Sequence, residues 1–187
     1  MLMLLFFIAG FCLSGNTASH AAWVQQTNPD TDQLRAVWGS SASDVFAVGD
    51  YGTILQTTNS GTTWSSMSSG IVQHIYGIWG NSATDVLAVA DSGKIIHYNG
   101  TVWSSMTSNT AYRLRDIWGF SASDVFVVGE SGTILHYNGS VWSTMSSPTT
   151  LTLQGVWGTS STNVYAVGGP SQASSGNGAR IIKYNGS

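Results

Sequence analysis

The stretch DIWGFSASDVFVVGESGTILHYNGSVW, residues 116–142, contains the unit from which most of this chain is built. Altered copies of this unit recur along the chain, and the eight tryptophans mark them on two registers. The first series, each followed by glycine, is Trp38, Trp79, Trp118 and Trp157, and the second is Trp23, Trp64, Trp103 and Trp142. The period is 41 residues once and 39 thereafter. Periods near 40 are typical of propeller blades and of some helical arrays, so the content of the repeat must decide between them.

One copy of the repeat contains four short runs, LRDIWG, DVFVVG, GTILHY and VWSTM, rich in β-branched and aromatic residues. Turn residues separate them, and pairs such as Asn99-Gly100 predict two-residue hairpin loops. The second run is apolar at nearly every position, which is typical of a strand buried on both faces. Hairpins this short leave no helix to cover a sheet, so other sheets must cover it. The sequence therefore predicts an all-β fold, a β-propeller of about four four-stranded antiparallel blades.

The predicted blades span residues 33–67, 74–106, 113–145 and 152–187. Trp23 lies 15 residues before Trp38, as each later second-series tryptophan does before its partner, so residues 22–27 are predicted to be a closing strand. This strand would pair with residues 180–184 of the last blade. Either it closes a ring of four blades, or the sequence is a fragment of a larger propeller. Trp79 and Trp118 are expected to be largely buried between blades.

Two motifs resemble known families. Residues 57–64, TTNSGTTW, resemble the Asp-box of sialidase-type (BNR) repeats, with Asn59 at the Asp position. The whole unit is similar to photosystem II assembly and stability factor-like propellers, and this resemblance covers residues 23–187. The resemblance implies a propeller fold and a protein partner. A sialidase would also need an arginine triad, a tyrosine and acids, and no FRIP-like segment occurs here.

The amino-terminal segment has the pattern of a signal peptide. Residues 2–13 are apolar, and Ser19 and Ala21 are the small residues that precede a cleavage site, so residues 1–21 are predicted to be removed after about Ala21. The apolar run is shorter than the ~20 residues that span a bilayer. The mature chain is therefore expected to be exported, periplasmic or extracellular, with no membrane span. The single cysteine, Cys12, would be lost with the segment.

Composition and motif content argue against several functional classes. Only 8% of residues are charged and the basic ones are scattered, so a nucleic-acid-binding face is not expected. Asp44, Asp85 and Asp124 occupy one repeated turn position, where we expect them to accept backbone hydrogen bonds. His97 and His136 share a slot that is lysine in the last copy, which indicates a solvated strand face. We therefore predict no catalytic constellation, no metal and no cofactor.

The first strand contains the positions that vary most between copies. In a propeller this strand lines the axis, so its side chains should ring one mouth of the channel. The candidate binding residues are Arg35, His74, Tyr76, Arg113, Arg115 and Gln154. The other interpretation is that these positions lie on a solvent-exposed rim that tolerates many side chains, so that their variation has no functional meaning. The predicted function is a non-catalytic binding module with a protein partner; a carbohydrate-binding or glycosidase-like propeller and a structural surface array are the alternatives.

Overall fold

The computed structural model describes residues 23–170 and 178–186, and the predicted signal peptide lies outside them. Its strands form four antiparallel sheets, each a blade, as the sequence predicted. Blade 1 contains β1 (Leu34–Gly39), β2 (Val45–Gly49), β3 (Ile54–Thr57) and β4 (Ser65–Met67). Blade 2 contains β5 (Ile75–Ser82), β6 (Asp85–Ala90), β7 (Ile95–Tyr98) and β8 (Trp103–Met106). Blade 3 contains β9 (Leu114–Ser121), β10 (Asp124–Gly129), β11 (Ile134–Tyr137) and β12 (Trp142–Thr144). Blade 4 has three strands in the described residues, β13 (Leu153–Ser160), β14 (Asn163–Gly168) and β15 (Arg180–Tyr184).

The hairpin loops differ in detail from the sequence prediction. The predicted Asn99-Gly100 loop is shifted by one residue, because only Gly100 has a positive φ, of 92°. The Asn99 side-chain oxygen instead accepts the N–H groups of Thr101 and Val102, each at 3.0 Å. This geometry is that of a loop with glycine at its first central position. The loop between β2 and β3 does have two consecutive left-handed residues, Tyr51 (φ 52°) and Gly52 (φ 78°).

The blades stack in a row through their first strands, β1 against β5, β5 against β9 and β9 against β13. Each junction encloses a hydrophobic core. The core between blades 1 and 2 contains Phe46 and Trp103, and the core between blades 2 and 3 contains Trp79 and Trp142. The third core, between blades 3 and 4, contains Phe126. The second strands of blades 2 and 3 contribute to the cores on both of their sides, which explains why they are apolar at consecutive positions.

The repeated Trp-Gly pair sets how closely neighbouring blades approach. The ring of Trp79 lies over Gly119 of the next blade, where a Cβ atom would be 2.7 Å from the ring. Trp38 lies over Gly80 in the same way, with a closest approach of 2.4 Å. At the third junction, Phe120 takes this place over Gly158. A glycine is therefore required at this position because a neighbouring aromatic ring fills the space of its side chain.

The two ends of the row are open. Val37 of blade 1 is 68% exposed, whereas its counterparts Ile78, Ile117 and Val156 are 8%, 3% and 7% exposed. At the other end Trp157 is 54% exposed, against 8% for Trp79. These side chains are exposed because no further blade of the described chain lies beyond them.

The sequence left open whether residues 22–27 close the ring or the sequence is a fragment of a larger propeller. In the described residues the closing strand is not formed: residues 23–28 have no strand, and Trp23 is fully exposed. Asp30 and Asp32, which follow this segment, bond to Thr53 of blade 1, at the opposite end of the row from β15. Trp79 is buried, and Trp118 is mostly buried, since it packs against the second and third cores and its ring lies 6.3 Å from that of Trp157.

Helical structure in the described residues is limited to three 3₁₀ turns, Asp50–Gly52, Asp91–Gly93 and Glu130–Gly132. No helix of sufficient length and apolar character to span a membrane occurs there.

We predict that Gly119→Ala destabilises the protein by about 1–3 kcal/mol, because the added methyl group must displace the buried Trp79 ring. Urea denaturation followed by circular dichroism measures the change. Gly178→Ala is the matched control, since a Cβ atom there would meet nothing within 4 Å. Equal stability of the two variants would contradict the proposed role of the Trp-Gly contact.

Candidate functional site

Three arginines surround one tyrosine where the first strands of blades 1, 2 and 3 meet. The guanidinium carbons of Arg35, Arg113 and Arg115 lie 5.0, 5.1 and 5.3 Å from the centre of the Tyr76 ring. These three arginines are half of the six basic residues of the chain. Guanidinium groups favour the faces of aromatic rings, and the attraction strengthens when the pair is partly withdrawn from water.

Three carboxylates hold these arginines in place. Arg35 donates through Nε to Asp50, and Arg113 donates through Nε to Asp91. Glu130 Oε1 lies 2.9 Å from Arg115 Nη2 and 3.3 Å from Arg113 Nη1. We call this set of residues the mouth cluster; its members are Arg35, Asp50, His74, Tyr76, Asp91, Arg113, Arg115 and Glu130.

The contacts of the mouth cluster follow one rule across the repeat. The acidic residue lies 12 positions after each of the first three WG tryptophans and begins the turn between the second and third strands. It contacts the residue three before the tryptophan of its own blade, as Tyr76 donates to Asp91 at 3.2 Å. It also contacts the residue five before the tryptophan of the next blade, as His74 Nδ1 lies 3.0 Å from Asp50. Asp50 and Asp91 therefore each link two blades, whereas both arginine partners of Glu130, Arg113 and Arg115, belong to its own blade.

The ion pairs shift the titration of several of these groups. The hydrogen bond from Arg35 lowers the pKa of Asp50 below its ordinary value. Hydrogen bonds from Arg35 to Asp50 and from Arg113 to Asp91 raise the pKa of each arginine. Burial raises the pKa of Tyr76, and the charge of Asp91 raises it further. The cluster is therefore a set of fixed charges with a neutral phenol at its centre.

The structure brings together five of the six predicted binding residues. Arg35, His74, Tyr76, Arg113 and Arg115 are all in the mouth cluster. Gln154, in blade 4, is exposed, and within the described residues it forms no hydrogen bond with this cluster.

Sequence reasoning missed the three acids as partners of the arginines. The repeat nevertheless contains a signal for them. The last copy has Gly169 at the acidic position and Gln154 at the partner position of the same blade. The acid and the charged or phenolic partner of its own blade are thus both absent from that copy, as expected if they contact one another.

A second set of repeated side-chain pairs lies elsewhere on the blades. Asp44 accepts a hydrogen bond from Gln56 Nε2 at 2.8 Å, and Asp85 lies 2.7 Å from His97 Nε2. His136 and Asp124 form the same contact at 2.8 Å. These acids therefore pair with side chains of the third strand, where backbone groups had been expected for the acids and solvent for the histidines. The register that places His97 opposite Leu87 sets Asp85 diagonally across the strands.

Metal-binding geometry is not found in the part of the chain that the structure describes. Over residues 23–170 and 178–186, no three side chains among His, Cys, Asp and Glu are grouped to hold an ion.

Asp116 lies between blades 3 and 4. Burial raises the pKa of its carboxyl group. Its two oxygens accept the N–H groups of Ile117 at 2.9 Å and of Val156 at 2.8 Å. Asp116 therefore has a structural role, because it joins β9 to β13.

Comparison with known proteins finds similarity at the level of structure. No protein-family model matches the chain, and no curated protein sequence matches it. The structure of YCF48 bound to D1 peptide superposes with a TM-score of 0.66 at 15% identity, over 80% of this chain and 51% of that one. YCF48 from Cyanidioschyzon merolae gives 0.63 at 14% identity, over 81% and 50%. An ancestral GH74 enzyme gives 0.66 at 14% identity, over 84% and 25%.

At these identities the likeness shows the fold alone, and the fold is that of a β-propeller. The chain spans about half the length of the two YCF48 structures and a quarter of the length of the GH74 structure.

We predict that Asp91→Asn moves the pKa of Tyr76 down towards the ordinary tyrosine value of about 10, because the substitution removes the adjacent negative charge. The pKa is read from phenolate absorbance against pH, with Tyr76→Phe identifying the contribution of this residue. Asp44→Asn, which changes a carboxylate that bonds Gln56 instead, should leave the value unchanged. A raised pKa favours the folded state below pH 10 and loses that contribution at higher pH, so the titration is run where circular dichroism shows a folded protein.

Proposed function

We propose that this chain is an exported propeller module that binds an acidic segment of a protein partner at the mouth cluster. The observation that carries the proposal is the convergence of Arg35, Arg113 and Arg115 on one tyrosine ring. The arginine side chains are 26–34% exposed, so a ligand can reach them from solvent.

The arginines have N–H donors that are not used in the ion pairs of the mouth cluster. A guanidinium group has five N–H donors in a planar fork. Within the described residues, Arg35 uses Nε for Asp50, and Arg115 uses Nη2 for Glu130. A carboxylate from a partner could accept two parallel bonds from such a fork, which is the geometry that arginine favours.

The intrinsic carboxylates explain how the site stays ordered without a ligand. Three arginines close together repel one another, and Asp50, Asp91 and Glu130 offset that repulsion. They also orient the guanidinium planes, so little side-chain entropy is lost when a partner binds. Binding then depends on matched charge and geometry rather than on a large net positive field.

The structural neighbours support a peptide ligand more than they support a glycan. One of them is a propeller that is bound to a peptide, and a peptide can supply both carboxylates and backbone carbonyl groups. The GH74 likeness keeps an oligosaccharide as the second candidate ligand. In the mouth cluster, however, each carboxylate pairs with an arginine, so we propose recognition and not glycosidic chemistry there.

The test is binding to an array of immobilised peptides in which Asp- and Glu-rich sequences are matched by Asn and Gln versions. The wild-type chain is expected to bind the acidic set, and more weakly as salt concentration rises. Arg35→Gln with Arg115→Gln should reduce affinity about tenfold or more per arginine, because hydrogen bonds to charged groups contribute about 1.5–3 kcal/mol each.

Lys183→Gln with Arg180→Gln is the matched control, since it removes the same charge from β15 of blade 4, outside the mouth cluster. If the control weakens binding equally, the effect comes from net charge and the proposed site is wrong. Binding to an oligosaccharide array with no binding to acidic peptides would favour the second candidate and contradict the proposal.

A further inference from the structure

The third hydrophobic core lacks a side chain that the first two contain. Between blades 1 and 2, Phe46 contacts Tyr98 and Trp103, with ring centroids 5.8 and 6.3 Å away. Between blades 3 and 4, Phe126 contacts Tyr184 at the same 5.8 Å. Within the described residues, blade 4 contributes no tryptophan to this core, and the tryptophan that packs against it, Trp118, belongs to blade 3. Blade 4 therefore contributes the tyrosine of this aromatic arrangement but not the tryptophan.

An apolar cavity of about 340 Å³ occupies the place of this tryptophan. Phe126, Val128, Met145, Ile182 and Tyr184 are among the residues that line it. In the other junctions this space is filled from the fourth strand of the later blade, by Trp103 and Trp142. We call this cavity the tryptophan slot.

The strand beside the slot has an open edge. In the described residues β15 pairs with β14 alone, whereas β7 and β11 each pair with a fourth strand as well. An unpaired strand edge beside an apolar cavity is a template for another strand. The missing partner must therefore be an extended segment that carries a tryptophan at its start.

Residues 23–27, WVQQT, have the required sequence and the required position in the repeat. Trp23 precedes Trp38 by 15 residues, the spacing that separates Trp103 from Trp118 and Trp142 from Trp157. In those copies the segment is the fourth strand of one blade and leads directly into the first strand of the next. Residues 23–27 thus belong to the blade that precedes β1.

In a single chain, residues 23–27 lie next to blade 1, at the end of the row opposite to the tryptophan slot of blade 4. The carboxylates of Asp30 and Asp32 both accept the Thr53 hydroxyl of blade 1, at 3.1 and 3.3 Å. Trp23 is fully exposed, and blade 1 and blade 4 are the two ends of the row. A second copy of this chain, placed with its blade 1 after this blade 4, brings its own residues 23–27 to the slot.

We infer that two copies of this chain form a head-to-tail ring of eight blades, in which residues 23–27 of each copy complete blade 4 of the other. Eight blades is within the range of known propellers, and a two-fold ring leaves neither end open. The strand register of blades 2 and 3 places Trp23 opposite Tyr184 and Val24 opposite Lys183.

The open faces at the two ends support the same arrangement. Trp157 projects from blade 4 with no glycine opposite it, and Gly39 of blade 1 has no aromatic ring over it. At the first two junctions a WG tryptophan covers the WG glycine of the next blade. Placing blade 1 of one copy after blade 4 of the other would seat Trp157 on Gly39 and would cover Leu34 and Val37, which are exposed in the single chain.

The first test is the mass of the full chain in solution by light scattering after gel filtration. We expect twice 19.8 kDa, with the monomer appearing on dilution. Trp23→Ala should raise the dissociation constant of the dimer at least tenfold, while Val72→Ala, which changes an exposed valine between β4 and β5, should leave it unchanged. A chain that remains monomeric at high micromolar concentration would overturn the inference.

The second test asks whether the strand crosses between copies, in a Cys12→Ser background. Val24→Cys and Lys183→Cys are made in separate chains of different size and are mixed under oxidising conditions. We expect a disulfide-linked heterodimer, because directly opposed strand residues lie within disulfide reach. Val72→Cys mixed with Lys183→Cys should give none. If the crosslink forms only when both cysteines are in one chain, the ring closes within a single molecule and the inference is wrong.

Discussion

Every part of this structure depends on the burial of the second strands, which in blades 2 and 3 is complete on both faces. Val89 and Val128 are buried, and the residues beside them in the same strands, Ala88 and Val127, face the opposite core. A four-stranded sheet without helices can bury both faces only against other sheets. Each blade therefore needs a neighbour on either side, and the stability of one blade is shared with the next. The first and last blades of the row meet this need on one side only.

The mouth cluster is a consequence of the same stacking. Successive first strands lie side by side, so positions that are far apart in the chain become neighbours around the axis. Arg113 of blade 3 reaches Asp91 of blade 2, 22 residues earlier, while Arg115 reaches Glu130 of its own blade. A substitution of Asp50 or Asp91 alters contacts in two blades, because each of these acids has partners on both. The most variable positions of the repeat are thus coupled electrostatically. Independent variation of solvent-exposed residues does not explain this coupling.

The ends of the row and the mouth cluster are physically distinct features. The end faces are apolar and self-complementary, with a protruding tryptophan on one and an uncovered glycine on the other. The mouth cluster is polar, with its charges already paired. The apolar end faces favour contact with another blade of the same kind, because such a blade matches the spacing between the protruding tryptophan and the uncovered glycine. The polar mouth cluster favours a ligand with charged groups of its own.

The sequence by itself determined the strands, the repeat and the class of fold. Short strands separated by turn residues, with a second strand that is apolar on both faces, are local patterns, and stacking such sheets face to face buries both faces. The sequence also placed five side chains of the mouth cluster on the first strand. Only the tertiary structure decided that Asp50, Asp91 and Glu130 join them, since those contacts depend on how one blade stacks on the next. It also decided that residues 23–28 do not form the expected strand, because that segment is held at the end of the row opposite to β15. The period of the repeat specifies which strands and core residues each blade contains. The distance between the two ends of the row depends on how all the blades stack.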